Sequence, residues 1–236
     1  IDTHCHLNDP KAFPDPAADV ARCRAEGVAR LIVVGTEPED WKRAVALAEQ
    51  FEDVFAIAGW HPNYTATYDE ASLNFLEAIL SHPKVVALGE IGLDYHWDYA
   101  PREIQHRALR DQLTLGIRLG MPIVFHAREA YSDLLDVLET FGPHPYLFHC
   151  FAGTVEEARR GVGLGGYFGV DGPITYKKAD GLREVMASIP DDRIVLETDA
   201  PYMSPVPVRG KSNHPAYVKF VNEGLAAALR MDPAAC

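Results

Sequence analysis

Histidine and carboxylate side chains recur in this sequence at the ends of short apolar runs, where they could bind a metal ion. The first pair, His4 and His6, lies two residues apart near the start of the chain. In an extended backbone, side chains two residues apart point to the same face, so both imidazoles could bind one cation. The chain has ten histidines in 236 residues, so one such pair is weak evidence by itself.

Four later apolar runs end in the same kinds of side chain. Glu90 follows VVALG, His126 follows PIVF, His149 follows YLF, and Asp199 follows RIVLET, with Glu197 on the same strand face as Asp199. A carboxylate inside an apolar run is costly to bury unless it is paired or binds a metal. Together these runs predict one shared metal site. Its predicted ligands are His4, His6, Glu90, His126, His149 and Asp199.

Six ligands exceed what one tetrahedral zinc ion uses and fit two divalent ions that share a carboxylate. We expect Glu90 to be the shared ligand, and Glu90 and Asp199 to be the catalytic carboxylates. Two divalent ions and two carboxylates leave a net charge of about +2, which would attract phosphate. Imidazole ligands favour zinc or manganese, whereas magnesium prefers oxygen. We therefore expect zinc as the bound metal, and activity with added magnesium or manganese.

Five further polar residues are predicted to contact the substrate. Arg209, Lys211 and Asn213 lie close together in the loop after the last apolar run. Arginine and lysine beside a metal pair are suited to clamp phosphates. His61 and Asp94 follow the third and fourth apolar runs, where they could orient substrate or support the metal ligands.

These residues need a scaffold that brings distant parts of the chain together. Short runs rich in valine, isoleucine and phenylalanine alternate with longer segments of helical periodicity. The predicted strands are residues 1–6, 30–35, 54–60, 85–91, 122–126, 146–150, 167–170 and 193–197. The predicted helices are residues 16–26, 39–51, 70–80, 102–119, 131–141, 155–163, 181–189 and 215–229.

Eight strand-then-helix units in a chain of this length predict an α/β fold, a (β/α)₈ TIM barrel that spans residues 1–236 as a single domain. Continuous apolar strands suit a parallel sheet buried on both faces. The alternative, an open doubly wound sheet, would need a glycine-rich first turn, but this turn reads HCHLND. Active sites of such barrels form at the carboxyl ends of the strands, where the predicted ligands lie.

Composition indicates an ordered protein with a large core. Hydrophobic residues make up 47% of the chain, and no apolar run reaches the length of about 18 residues that spans a bilayer. The formal net charge is −12, whereas proteins that coat nucleic acid are basic, so the composition argues against a DNA-coating role.

The four cysteines form no Cys-x-x-Cys pair, so we expect reduced thiols in a cytoplasmic protein. Alternation along a strand is expected to turn Cys5 and Cys150 away from the metal site.

An ordered set of motifs resembles the TatD family of metal-dependent deoxyribonucleases, within the amidohydrolase superfamily. The motifs are DTHCHL, GWHP, GEIGLDY, VFHAR, HCFAG, ETDAP and RGKSN, and they span nearly the whole chain. The resemblance implies a distorted TIM barrel in which His4 and His6 bind one metal, His126 and His149 bind the second, and Glu90 is shared. It also implies that Asp199 contacts metal and the attacking water. Two positions depart from the family pattern: Ala152 stands where serine is common, and His214 where glutamate is common.

The predicted function is hydrolysis of DNA phosphodiester bonds by a water activated at the two-metal site. The resemblance implies a magnesium-dependent 3′–5′ exonuclease that prefers single-stranded DNA or DNA 3′ ends, with links to DNA repair. We expect a monomer and no membrane partner.

One alternative is an ester or amide hydrolase of the same superfamily, such as an aminoacyl-tRNA deacylase. Dihydroorotase-like enzymes bridge their metals with a lysine at the end of strand four, where this chain has Glu90. A non-catalytic binding module would lack ligands, and none is missing here.

Overall fold

The computed structural model of the protein describes residues 1–234, in which eight strands alternate with eight α-helices. The strands are β1 (Asp2–Cys5), β2 (Leu31–Gly35), β3 (Val54–Ala58), β4 (Val85–Asp94), β5 (Ile123–Arg128), β6 (Tyr146–Phe148), β7 (Tyr167–Val170) and β8 (Ile194–Leu196). The helices are α1 (Pro16–Ala25), α2 (Pro38–Gln50), α3 (Glu70–Leu80), α4 (Arg102–Leu119), α5 (Tyr131–Phe141), α6 (Val155–Gly163), α7 (Asp180–Ala187) and α8 (Val218–Leu229).

The strands form one parallel sheet in the order β1 to β8, which confirms the predicted TIM barrel. The sheet closes between β1 and the segment that follows β8. There the backbone N–H of His6 donates to the carbonyl of Ala200 over 2.8 Å, and the N–H of Asp199 donates to the carbonyl of His4 over 2.9 Å. The seam of the barrel therefore places His4, His6 and Asp199 side by side.

Apolar side chains fill both faces of the sheet, as the continuous apolar strands predict. The larger cluster packs the helices against the outer face, for example Trp41 of α2 against the strands. A smaller cluster without helix residues fills the barrel interior and is centred on Val34, Ile57, Ala87 and Val124. Since Val124 and His126 are two residues apart on β5, the apolar interior continues directly into the polar centre at the carboxyl end.

Strand β4 is longer than predicted. It runs ten residues, to Asp94, instead of ending at residue 91, because β5 continues to pair with it through His126 and Arg128. Gly92 makes this pairing close: its φ is +146°, and a Cβ there would lie 1.9 Å from the carbonyl oxygen of His126. The extension holds Asp94 on a rigid strand beside His126, rather than in a loop.

The cysteines within residues 1–234 are free thiols: Cys5 and Cys23 are buried, and Cys150 is half-buried. Cys236 lies outside the described residues. Within this described part of the chain, no helix combines the length and the apolar character needed to cross a membrane.

Candidate metal centre

Glu90 lies at the middle of a cluster of imidazoles at the carboxyl ends of the strands. It is buried, and its Oε1 lies 2.9 Å from His126 Nδ1, 3.1 Å from His149 Nε2 and 3.6 Å from His61 Nε2. Its Oε2 lies 3.4 Å from His4 Nε2. The carboxylate thus reaches residues from β1, β5, the segment after β3 and the segment after β6, as a shared ligand must.

Asp199 joins the opposite side of the cluster, at the barrel seam. Its Oδ1 lies 3.3 Å from His6 Nε2 and 3.9 Å from His4 Nε2. The His4 ring stacks on the His149 ring with centroids 3.8 Å apart. The structure therefore brings all six predicted ligands together, and His61 with them. We name this set the Glu90 centre: His4, His6, His61, Glu90, His126, His149 and Asp199.

The donor atoms of this centre fit a divalent metal ion. Three groups of side chains each offer ligand atoms within 4.8 Å of one another: His4 with His6 and Glu90, His61 with Glu90 and His126, and His4 with His149 and Glu197. Both ring nitrogens of His4 are buried without a hydrogen-bond partner. Buried nitrogens of this kind are normally satisfied, so ligation to a metal explains them well.

The carboxylates of the centre are in the protonation state that metal binding needs, because a ligand must present a free lone pair. Burial raises the pKa of Glu90, but the neighbouring imidazoles, His149 first among them, outweigh burial and hold that pKa well below its ordinary value. Burial likewise opposes ionisation of Asp199, and its contact with His6 nevertheless lowers the pKa of Asp199. Burial lowers the pKa of His61 to about 3, which keeps its imidazole neutral. The centre thus combines ionised carboxylates with a neutral imidazole donor.

Asp94 contacts the ring nitrogen of His126 that does not face Glu90. The Nε2 of His126 lies 3.0 Å from Asp94 Oδ2, which also accepts a hydrogen bond from Asn63 Nδ2 over 3.2 Å. Burial opposes ionisation of this carboxyl, yet the contact with His126 lowers the pKa of Asp94 to about 2. A carboxylate on the second nitrogen of an imidazole fixes the orientation of the ring and strengthens it as a ligand.

The sequence prediction did not include Glu197, which supports His149 in the same way. Glu197 is fully buried, its Oε1 lies 3.3 Å from His149 Nδ1, and it accepts a hydrogen bond from the backbone N–H of Cys150. The available clue was its position on the same strand face as Asp199. Since β8 ends at Leu196, one residue before the predicted end, Glu197 belongs to the site and not to the strand.

Cys150 differs from its predicted orientation. It is only half-buried, borders the same cavity as the Glu90 centre, and its thiol donates to Asp171 Oδ2 over 3.1 Å. Its φ is +46°, so the alternation of an extended strand, on which the expectation rested, does not apply there. Cys5 is buried and packs in the outer core, as predicted.

A cavity of about 720 Å³ opens over the Glu90 centre. Its lining includes the buried or half-buried residues His61, Glu90, Asp94, His126 and Asp199, and the exposed arginines Arg43 and Arg128. This volume accommodates a small ligand or a short stretch of a linear polymer.

Of the predicted substrate contacts, Arg209, Lys211 and Asn213 are not among the described residues that line this cavity. Arg209 is exposed, with its guanidinium 4.0 Å from the centre of the Tyr176 ring, and Lys211 is exposed nearby. Asn213 is buried, and its side-chain N–H groups donate to the carbonyls of Thr198 and Tyr202. Arg209 and Lys211 thus lie outside the cavity, while Asn213 fixes the loop that carries Asp199.

Comparison with known proteins agrees with this geometry. The family model described as "TatD related DNase" matches residues 1–236. The chain is 39% identical to a Bacillus subtilis protein named "Uncharacterized metal-dependent hydrolase YabD", over 98% of this chain and 91% of the relative. It is 33% identical to a Cronobacter sakazakii protein named "3′-5′ ssDNA/RNA exonuclease TatD", over 91% of this chain and 84% of the relative.

Among solved structures, the chain matches YJJV, a TatD homologue from Escherichia coli K12. The TM-score is 0.92 at 35% identity, and the match covers 99% of this chain and 92% of the other. A family model that matches the whole chain, relatives above 30% identity and the same barrel all agree. The chain belongs to the TatD family of metal-dependent hydrolases.

Proposed function

We propose that this protein hydrolyses phosphodiester bonds of single-stranded DNA, at the 3′ end, with two divalent metal ions held by the Glu90 centre. The observation that carries the proposal is a buried carboxylate shared by four imidazoles at a cavity whose lining includes two arginines. The name of the Cronobacter relative, an exonuclease on single-stranded DNA and RNA, supports the same class of substrate.

Each residue of the centre then has a role. His4 and His6 would hold one ion, His126 and His149 the second, and Glu90 both. His61 is a further candidate ligand, because its Nε2 groups with Glu90 and His126. Bound divalent ions lower the pKa of water and offset charge on phosphoryl oxygens.

The remaining steps belong to side chains of the protein. Asp199, ionised and directed toward His4 and His6, would accept the proton of the attacking water at its Oδ1. Arg43 and Arg128 in the cavity lining would contact phosphate oxygens of the scissile and adjacent groups. Arg209 and Lys211, farther out, would bind phosphates more distant along the strand. As the water oxygen bonds to phosphorus, the bond from phosphorus to the 3′-oxygen of the penultimate nucleotide would break, and that oxygen would leave as a 3′-hydroxyl after taking up a proton.

The placement of Lys84 argues against a lysine-bridged amide or lactone hydrolase. Lys84 precedes β4 at the amino end of the barrel, where its Nζ donates to the carbonyls of Phe51, Glu52 and Val54. A bridging lysine is needed at the carboxyl end of the barrel, where β4 contributes Glu90 to the candidate metal centre.

Cleavage of end-labelled oligonucleotides tests the proposal. Metal-stripped protein is supplied in turn with magnesium, manganese and zinc, and we expect a product ladder that shortens from the 3′ end. Glu90→Gln should abolish cleavage, while Glu223→Gln on the exposed side of α8 should leave it unchanged. Absence of cleavage with every metal, or full activity of Glu90→Gln, would contradict the proposal.

A further inference from the structure

The rim of the cavity carries a group of exposed aromatic side chains. Among the exposed large apolar side chains of residues 1–234, Tyr64, Trp97, Tyr202 and Met203 line the cavity, and Tyr99 stacks on Trp97. Away from the rim the exposed set consists of Ile1, Leu119 and Val206. A single exposed apolar residue is ordinary, but a group around one cavity indicates a binding surface.

Trp97 and Tyr99 pack against each other on this rim. Their rings are stacked, with centroids 5.6 Å apart and planes inclined by 19°, and their side chains are 45% and 61% exposed. The guanidinium of Arg128 lies over the Trp97 ring, 5.6 Å from its centre. The pair therefore presents partly exposed ring surface at the cavity, with a positive charge over the Trp97 ring.

The backbone fixes this ring pair relative to the Glu90 centre. The N–H groups of His96 and Trp97 donate to Asp94 Oδ1, over 2.9 Å and 3.2 Å, while Asp94 Oδ2 holds His126. One buried carboxylate thus positions both an imidazole of the centre and the start of the aromatic segment. Such a rigid link suits a subsite that must be held in register with a reacting bond.

We propose that the Trp97–Tyr99 ring pair is a stacking subsite for an unpaired nucleobase of the strand whose phosphodiester lies at the Glu90 centre. Every nucleobase has a flat π-face, so stacking binds single strands with little regard to sequence. Arg128, which lies over the Trp97 ring and lines the cavity, would bind a phosphate of the same strand. Bases inside a duplex are already stacked on each other, so this subsite selects single-stranded substrate. The inference rests on the proposed function.

Tryptophan fluorescence offers a direct test, because Trp97 is the exposed tryptophan while Trp41 and Trp60 are 0% and 5% exposed. Metal-containing protein is titrated with a phosphorothioate-linked oligothymidylate, which resists cleavage. We expect strong quenching of the emission, and no quenching in Trp97→Phe. An abasic strand with the same number of phosphates should need about tenfold higher concentration for half-saturation, since it lacks the stacking contribution.

Substitutions separate stacking from a structural effect. With a labelled oligonucleotide followed by anisotropy, Trp97→Ala should weaken binding by about tenfold, whereas Trp97→Phe, which keeps a flat ring, should bind within about threefold of the unmodified protein. Tyr99→Ala should weaken binding less than Trp97→Ala. Leu119→Ala, an exposed apolar change at the end of α4, is the matched control and should bind unchanged.

The outcomes distinguish this inference from the proposed function. If the unmodified protein cleaves oligonucleotides, but Trp97 emission does not change and Trp97→Ala binds normally, the stacking subsite is overturned and the nuclease proposal stands. If the unmodified protein neither binds nor cleaves oligonucleotides, both are overturned. Quenching by the base-containing strand, with weaker binding of Trp97→Ala and recovery in Trp97→Phe, supports the subsite.

Discussion

At the scale of single residues, Asp199 is held in a backbone conformation that few side chains adopt. Its φ is +54°, at the barrel seam where its N–H donates to the carbonyl of His4. Asparagine tolerates this left-handed region, whereas alanine loses roughly 1–2 kcal/mol there. The conformation turns the carboxylate toward His4 and His6 instead of continuing the strand.

Two substitutions at Asp199 should therefore separate catalysis from folding. Both Asp199→Asn and Asp199→Ala remove the proton acceptor and should lower kcat by about 10²- to 10⁴-fold. Asp199→Ala should also unfold at lower urea concentration than Asp199→Asn, by about 1 kcal/mol in the free energy of unfolding. Oligonucleotide cleavage and urea denaturation measure the two effects. An active Asp199→Asn variant would remove Asp199 from the proposed mechanism.

Glu197 provides a second prediction at this scale. Because its carboxylate lies 3.3 Å from His149 Nδ1, Glu197→Gln should weaken metal binding by about 10- to 100-fold without removing a proposed ligand of the two-ion site. Calorimetric titration of stripped protein with zinc or manganese measures the affinity. Glu223→Gln, the exposed control, should match the unmodified protein. Equal affinity in Glu197→Gln and the control would show that His149 needs no such support.

At the scale of elements, the strands and their order could be predicted because each apolar run is continuous and bounded by helical periodicity. The candidate ligands could be placed together for the same reason: His126 and His149 each follow by two residues a side chain of the interior cluster, Val124 and Leu147. The orientation of the Cys150 side chain could not be predicted, because the positive φ of Cys150 changes the direction of that side chain and no residue pattern marks this conformation. Arg209 and Lys211 lie on the long loop after β8. Their spacing in the sequence does not determine the path of that loop, so their positions relative to the cavity could not be predicted.

His214 shows how a loop after β8 is attached to the helical layer. Its Nδ1 accepts a hydrogen bond from the backbone N–H of Ala216, and its Nε2 lies 3.1 Å from Asp19 Oδ1 on α1. A neutral ring with its proton on Nε2 satisfies both contacts. A second proton, on Nδ1, would break the contact with Ala216.

Stability should therefore depend on pH through His214. Burial lowers the pKa of His214 below its ordinary value of 6.5, so the unfolded chain binds a proton more readily than the folded one. The contribution of His214 is fully present above pH 6.5 and is lost as pH falls through the folded pKa. Urea midpoints of unmodified protein and His214→Asn, compared from pH 8 to pH 5, should converge toward acid. A difference that stays constant or grows toward acid would contradict this assignment.

At the scale of the whole molecule, a chain of net charge −12 is proposed to bind a polyanion. The distribution of charge explains how a protein with a negative net charge could bind a polyanion at one site. Of the six carboxylates that line the cavity, four contact a basic side chain: Glu90, Asp94 and Asp199 contact imidazoles, and Asp40 contacts Arg43. Bound divalent ions would add positive charge at the wall of the cavity, where field lines are concentrated by the surrounding low-dielectric barrel. Attraction for phosphate would thus come from the bound ions and the two arginines that line the cavity, Arg43 and Arg128, in a molecule of negative net charge.

Metal binding and folding should be coupled across the entire barrel, because the Glu90 centre joins β1, β4, β5 and the segments after β3, β6 and β8. An ion at 100 times its dissociation constant stabilises the folded state by about 2.7 kcal/mol. Chelator should therefore lower the thermal midpoint of the unmodified protein, and added zinc or manganese should restore it more than magnesium, since imidazole ligands prefer those metals. Glu90→Gln, which lacks the shared carboxylate, should show a much smaller metal-dependent shift. If magnesium restored stability as well as zinc, or if Glu90→Gln responded fully, the imidazoles would not be the main ligands.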